Sequence, residues 1–229
     1  MNVLSFDSCA DILNIGIETK DSFLSLSQKI EKKFSEELVS RLKWALEEQQ
    51  LTFKELSLVV CSKGPGSFTG LRVGMAVAKG IAMGANIDLV SVSTTESYAY
   101  PLRYSEFPTL ILIDAKKRRF YNALFFKGER LSEDRDSTLS EIAASISNYE
   151  QVIVSGLYSK GAFEQLCDEV TGSKFTTKLV FNDLYSAGIG QSMIILGKKL
   201  LQERGPDPIE EGPTYIRKSD AELSLEIVN

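Results

Sequence analysis

The sequence predicts an α/β protein made of two lobes with the same order of elements. Three observations carry this. Short runs of alternating apolar residues form a β-meander at the start of each half, helical apolar spacing follows each meander, and an aspartate closes the first strand of both, Asp7 and Asp114. With 229 residues, 43% apolar and 25% charged, the chain is long enough for each lobe to bury a core.

Taken in order, VLSF before Asp7, DILNIGIET and SFLSLS read as three antiparallel strands. Residues 35 to 50 change to helical spacing, with Leu38, Leu42, Ala45 and Leu46 on one face and Val39 beside it. Ser35 suits the N-cap, and Phe34 can staple onto Val39. Thr52 to Glu55 has capping-box spacing, SLVVCS at 57 to 62 reads as a buried strand, and a glycine-rich loop, GPGSFTG, leads into a helix from Thr69 to about Ala85. Leu89 to Ser93 is again strand-like, so the first lobe reads βββαβαβ over residues 1–100. The second lobe, 101–205, opens with TLILID, RFYNALFF, a turn at Lys127-Gly128 and ERLSE. Helices near 138 to 148, 158 to 170 and 184 to 203 then alternate with QVIVSG and TKLVFN. Residues 206–229 form a C-terminal tail.

Composition excludes several functions. The chain has no histidine, which removes His-based acid–base chemistry, His triads and nearly all zinc sites. A net charge of −5 argues against autonomous nucleic-acid binding. Cys9, Cys61 and Cys167 form neither a CxxC pair nor an even framework, as suits a reducing compartment. No apolar run is long enough to cross a membrane and no secretory signal is evident, so a cytoplasmic location is expected.

The stretch SLVVCSKGPGSFTGLRVGMAVAKGIA is the most informative. Gly64, Gly66 and Gly70 permit close backbone approach, and the loop opens a helix whose amides can receive an anion, with Ser67 and Thr69 as neighbours. It is not a P-loop, and it misses the dinucleotide fingerprint at Thr69. In the helix, Gly70, Gly74 and Ala78 form one smooth row and Ala76, Gly80 and Gly84 another. Each internal glycine costs roughly 1 kcal/mol relative to alanine, so close packing is expected, one row against the chain's own core and the other against a partner. Arg72 in the first turn opposes the helix dipole, so a carboxylate partner is expected for it. Trp44 lies near its helix's apolar stripe and suits either the core or an interface.

GPGSFTGLRVG matches the hallmark of the TsaB (YeaZ) family almost letter for letter. LVSVSTTESYAY, the hairpin from Asp114 to Tyr121 and the ending PTYIRK resemble further segments of that family. The duplicated element order itself resembles the actin/Hsp70/sugar-kinase (ASKHA) superfamily. There are departures: Asp7-Ser8-Cys9 stands where the family has Asp-Thr-Ser, Phe34 stands where many members have His, and Lys116 and Lys117 replace paired arginines. Lysine keeps the charge but loses the bidentate geometry.

The resemblance implies a non-catalytic subunit of the tRNA threonylcarbamoyladenosine (t6A) apparatus. The paralogue TsaD carries a metal-binding His-x-x-x-His that this chain lacks, so the implied role is a platform pairing with TsaD and working with the ATPase TsaE. Carried over, the two first-lobe helices form the partner surface, with Leu38, Arg41, Leu42, Trp44, Ala45, Gly70, Arg72, Val73, Gly74, Val77 and Gly80. The same surface is expected to form a homodimer when TsaD is absent. No intrinsic cofactor is expected, ATP or ADP would sit at the complex interface, and tRNA would be met through the complex. Asp7, Gly64, Gly66, Ser67, Thr69, Lys116 and Lys117 are candidate anion or nucleotide contacts, while Asp7 and Asp114 also read as turn carboxylates and 116 to 119 as a solvated hairpin tip. The alternative is a small-molecule kinase or ATPase of this fold, with GPGSFTG as its anion site.

Overall fold

The structure is a computed structural model that describes residues 1–30, 34–158, 160–172, 176–182 and 189–217. Strands β1 (Val3–Asp7), β2 (Ile12–Glu18) and β3 (Phe23–Lys29) form the first meander, followed by helix α1 (Phe34–Glu48), β4 (Leu58–Gly64), α2 (Phe68–Ala85) and β5 (Asp88–Ser93). Their sheet runs β3-β2-β1-β4-β5, with β1, β4 and β5 parallel. A short helix α3 (Thr94–Ala99) leads to β6 (Thr109–Asp114), β7 (Phe120–Phe126), β8 (Glu129–Arg130) and β9 (Arg135–Ser137). Then come α4 (Leu139–Ile146), β10 (Gln151–Leu157), α5 (Lys160–Gly172), β11 (Lys178–Phe181) and α6 (Ile189–Arg204). The second sheet runs β11-β10-β6-β7-β8, with β9 also on β7. Read from β8, this repeats the first sheet's order, and Asp7 and Asp114 end equivalent strands.

Alternation along the strands sorts the side chains into layers. Leu4 and Phe6 face α1 and α2, in a core shared with Leu38, Leu42, Ala45 and Met75, while Val3, Val60 and Val92 face the other way. On the second sheet, Leu110 and Leu112 face α4 and α5, and Ile111 and Ile113 face inward. Between the sheets lie α3 and α6, and each packs on the sheet of the other half. α3 meets β6, β7 and β10 as well as β4 and β5 of its own sheet, whereas α6 meets β1, β2, β4 and β5. The α6 crossing is backbone on backbone: a Cβ on Gly190 would stand 2.8 Å from the Gly16 Cα, and the Ser5 hydroxyl donates to the Gly190 carbonyl at 2.8 Å. Sequence order therefore does not state which sheet α6 covers.

Local expectations differ in detail from the structure. α2 starts at Phe68, one residue early, with the Ser67 hydroxyl accepting from the Gly70 amide, and it stops at Asn86, a left-handed cap (φ 54°). The Thr52–Glu55 box is present, the Thr52 amide and hydroxyl both donating to the Glu55 carboxylate at 2.8 and 2.9 Å. α3 and β9 were not anticipated. The expected cap at Ser35 and staple at Phe34 concern side chains outside the described residues, as do residues 184 to 188 of the last predicted helix.

Candidate functional site

β1 delivers Asp7 to the inter-lobe side, but its carboxylate is turned into the protein and is fully buried. Oδ1 accepts from the Cys9 amide at 3.0 Å and the Ser62 hydroxyl at 2.5 Å, and Oδ2 accepts from the Tyr98 hydroxyl at 3.4 Å. Tyr98 accepts in turn from the Asn14 side chain at 3.2 Å, whose oxygen accepts from Ser27 at 2.6 Å. A buried carboxylate needs such donors, and the adjoining turn, β4 and α3 supply them. Burial first, then the nearby Asp7 charge, pushes the Cys9 thiol and the Tyr98 phenol well above their usual pKa values, so both stay protonated. Asp7 is a turn carboxylate and not the cleft ligand that was considered. Asp114 has a related role on the second lobe, Oδ1 accepting from the Lys116 amide at 2.7 Å.

The glycine loop closes over this turn. A Cβ at Gly66 would lie 2.4 Å from the Cys9 Cβ, one at Gly70 would lie 2.0 Å from the Ser8 carbonyl oxygen, and one at Gly74 would lie 2.1 Å from the Ser8 hydroxyl oxygen. Gly64, at φ +116°, has the Thr214 carbonyl oxygen 2.6 Å from its Cβ position. The Ser67 amide donates to the Cys9 carbonyl at 2.6 Å. The Cβ sides of Gly64, Gly66 and Gly70 are thus filled by residues 8–9 and 214 of the chain itself, while Gly66 still lines the inter-lobe cleft beside Ser67. The structure also corrects the partner expected for Arg72. Its guanidinium lies 4.7 Å from the Phe68 ring centroid and donates to the Tyr215 hydroxyl at 3.0 Å, Phe68 and Tyr215 being stacked at 4.2 Å.

Two open surfaces bear on the expected sites. The first is a cleft of about 620 Å³ between the lobes, with Ile113, Tyr121 and Leu157 among its lining and Lys29, Lys116, Lys117 and Arg217 against Asp11 and Asp114. Ser67 reaches this cleft. Thr69 is exposed but does not line it. Lys116 pairs with Asp114 at 3.3 Å and Asp11 at 3.7 Å, exposed contacts worth well under about 1 kcal/mol each. Lys116, Lys117 and Arg118 all have left-handed backbone, with φ of 61°, 55° and 59°.

The second surface is an apolar groove of about 660 Å³ on the outer face of the first lobe, formed by Val39 of α1, Thr52, Phe53 and Lys54, and Val77, Gly80, Ile81, Gly84 and Ala85 of α2. A Cβ at Gly80 or Gly84 would meet nothing within 4 Å. The two small-residue rows therefore have opposite partners: Gly70 and Gly74 face the Asp7–Cys9 turn, and Gly80 and Gly84 face outward. Of the residues expected at a partner surface, Leu38, Leu42, Ala45, Gly70 and Gly74 are buried in the chain's own core, which corrects their assignment as contacts. Arg41, Trp44, Arg72, Val73, Val77 and Gly80 retain exposure, and Trp44 is 44% exposed. Phe53, Lys54 and Ile81 line the groove although sequence reading passed them over. Ile81 follows Val77 at a helical step and could have been found that way.

The fold and this arrangement define a two-lobe, actin-like α/β protein whose glycine loop is packed on its own chain. A family model described as TsaD, tRNA N6-adenosine threonylcarbamoyltransferase, matches residues 26–201. The chain belongs to that family and, within it, to the TsaB/YeaZ group. It is 31% identical over 129 residues to the tRNA threonylcarbamoyladenosine biosynthesis protein TsaB of Buchnera aphidicola subsp. Acyrthosiphon pisum, covering 56% of this chain and 58% of that one. To the TsaB of Haemophilus influenzae it is 21% identical over 224 residues, covering 95% and 94%. The chain spans less than two thirds of the two Buchnera proteins it matches at 58% and 65% of their lengths. YeaZ from Pseudomonas aeruginosa shares the fold with a TM-score of 0.73 at 16% identity, over 93% of this chain and 99% of that one. A Bacteroides thetaiotaomicron protein with actin-like ATPase fold reaches 0.50 at 9% identity, over 85% and 95%.

Proposed function

We propose that this chain is a non-catalytic subunit of the machinery that makes t6A in tRNA. It docks the catalytic paralogue TsaD on the groove between α1 and α2, and with TsaE it supports threonylcarbamoyl transfer to the adenosine beside the anticodon. The same face pairs two copies when TsaD is absent, tRNA is met through the complex, and any ATP or ADP is held where subunits meet. The observation that carries the reading is the groove itself: an apolar trough with Gly80 and Gly84 on its floor admits a second helix at backbone distance, with exposed Val39 on its rim, and Trp44 is exposed elsewhere on α1. The names of the relatives supply the pathway, and the absence of histidine argues against a TsaD-like metal centre.

A kinase or ATPase of the same fold has less support. Such an enzyme needs carboxylates free to hold a metal and an anion cradle, whereas Asp7 is bound inward, the cleft carboxylates Asp11 and Asp114 are both paired with Lys116, and the Cβ sides of the glycines are packed on the chain itself. Sedimentation of the parent chain, Gly80→Leu and Trp44→Ala, each with and without TsaD, tests the docking face. Both variants are expected to melt near the parent temperature and to lose association; unchanged association in both removes this face from the proposal.

A further inference from the structure

Residues 213–217 of the ending PTYIRK, which the docking role leaves unexplained, lie across both lobes. After α6 the chain returns along β5, whose outer edge is free in the sheet order: the Asp207 amide donates to the Leu89 carbonyl at 2.8 Å. The buried Asp207 carboxylate accepts from the Ser91 amide at 2.7 Å and pairs with Arg204 at 2.6 Å. Further on, the Thr214 amide donates to the Lys63 carbonyl at 2.7 Å, and Tyr215 stacks on Phe68 beneath Arg72. All of these contacts are to the first lobe or to its α6.

Two residues later the chain holds the second lobe. Arg217 donates Nε to Asp136 Oδ2 at 2.7 Å and Nη2 to Oδ1 at 3.0 Å, and Nη1 donates to the Ala115 carbonyl at 3.3 Å. This is a two-pronged arginine–carboxylate pair, the geometry that combines strength with fixed orientation. Asp136 is only 15% exposed and is steadied by Arg119 at 3.0 Å. Phe68 and Arg217, one under each end of the Tyr215–Arg217 span, both line the inter-lobe cleft.

We propose that residues 207–217 are a clasp that sets the angle between the lobes and the width of the cleft, with Arg217 on Asp136 as its releasable end. The first-lobe end is built from backbone ladder bonds, a buried carboxylate and an aromatic stack. The second-lobe end is held by the part-buried polar contacts of Arg217, with Ile216 packed on the core between the sheets, so the Arg217–Asp136 pair opens first. The clasp does not depend on the docking role, since all its contacts lie within one chain.

The test is a distance between spin labels at Asp21→Cys, exposed in the β2–β3 turn, and Glu164→Cys, exposed on α5, in a Cys167→Ser background diluted with unlabelled protein. The buried Cys9 and Cys61 stay unlabelled. The clasped chain is expected to give one narrow distribution, and Arg217→Ala is expected to broaden it and move its mean. Arg217→Gln, which keeps a stem over Tyr121 and removes only the charge, covers the case in which the alanine variant folds poorly, and the same broadening is expected. A distribution unchanged in folded Arg217→Gln overturns the proposal.

Discussion

The carbonyl oxygen of Ser8 lies so close to Gly70 that a Cβ at residue 70 would stand 2.0 Å from it, and the Ser8 hydroxyl donates back to the Gly70 carbonyl at 3.0 Å. The first turn of α2 is thereby seated on the β1–β2 turn. At Gly80, three turns along the same helix, a Cβ would meet nothing within 4 Å.

Opposite effects on stability follow for one substitution. Gly70→Ala forces backbone apart and is expected to cost about 1–3 kcal/mol, or roughly 2–4 °C of melting temperature for each kcal/mol in a protein this size. Gly80→Ala removes a flexible residue from an open helical position and is expected to stabilise by up to about 1 kcal/mol. Thermal melts of the two variants decide the matter. Equal shifts would mean that the two rows do not differ as described.

The cysteines are expected to react in a fixed order. Cys9 and Cys61 are buried, and burial raises both thiol pKa values, with Asp7 adding to the effect at each. Cys167 is partly exposed, and its thiol is raised by burial and by Asp168 and Glu164. Iodoacetamide at mildly alkaline pH should label Cys167 first, at a rate that climbs with pH, and the other two only after denaturant is added. Mass spectrometry of peptides containing each residue reads the order, and early labelling of Cys9 would contradict the closed Asp7–Cys9 turn.

Acid should weaken the Arg217–Asp136 contact. Partial burial of Asp136 works against its ionisation, but hydrogen bonds and charge from Arg217 and Arg119 outweigh it and hold the carboxyl below the usual 3.8. The folded pKa lies below the unfolded one, so the stabilisation is complete above about pH 4 and is lost as pH falls through the folded value. Urea midpoints of the parent and Arg217→Gln should therefore differ most near neutral pH and draw together as the pH falls below the usual carboxylate range. A gap that stays constant over that range would show that the pair does not contribute through its charge.

Much of the fold was legible in the residues because periodicity is local. The alternation in DILNIGIET and the helical spacing of Leu38, Leu42 and Ala45 pick out apolar faces that the structure buries, although β2 buries Asn14 and Gly16 on its other face as well. α3 was missed because TTESYA is a single polar-looking turn and a half, whose buried Thr94, Thr95 and Ser97 carry no apolar signal. β9, three residues of Arg-Asp-Ser, had none either. The exchange of α3 and α6 between sheets is a tertiary fact, held by contacts such as Ser5 to Gly190 that are 185 residues apart. At the site, GPGSFTG announced close approach but not what approaches. Asp7 looked like a cleft ligand because Ser62 and Tyr98, its donors, lie 55 and 91 residues away.

The central claim is that this chain works as a docking subunit for t6A formation, and one reconstitution tests it most directly. Threonylcarbamoyl transfer to unmodified tRNA would be measured with TsaD and TsaE from the same cell, with the parent chain, with Gly80→Leu, and with neither. The account predicts t6A with the parent chain, a loss of at least about tenfold with Gly80→Leu, corresponding to about 1.4 kcal/mol of lost association when the subunit is limiting, and no product above background without the chain. Equal t6A yield from TsaD and TsaE alone would contradict it.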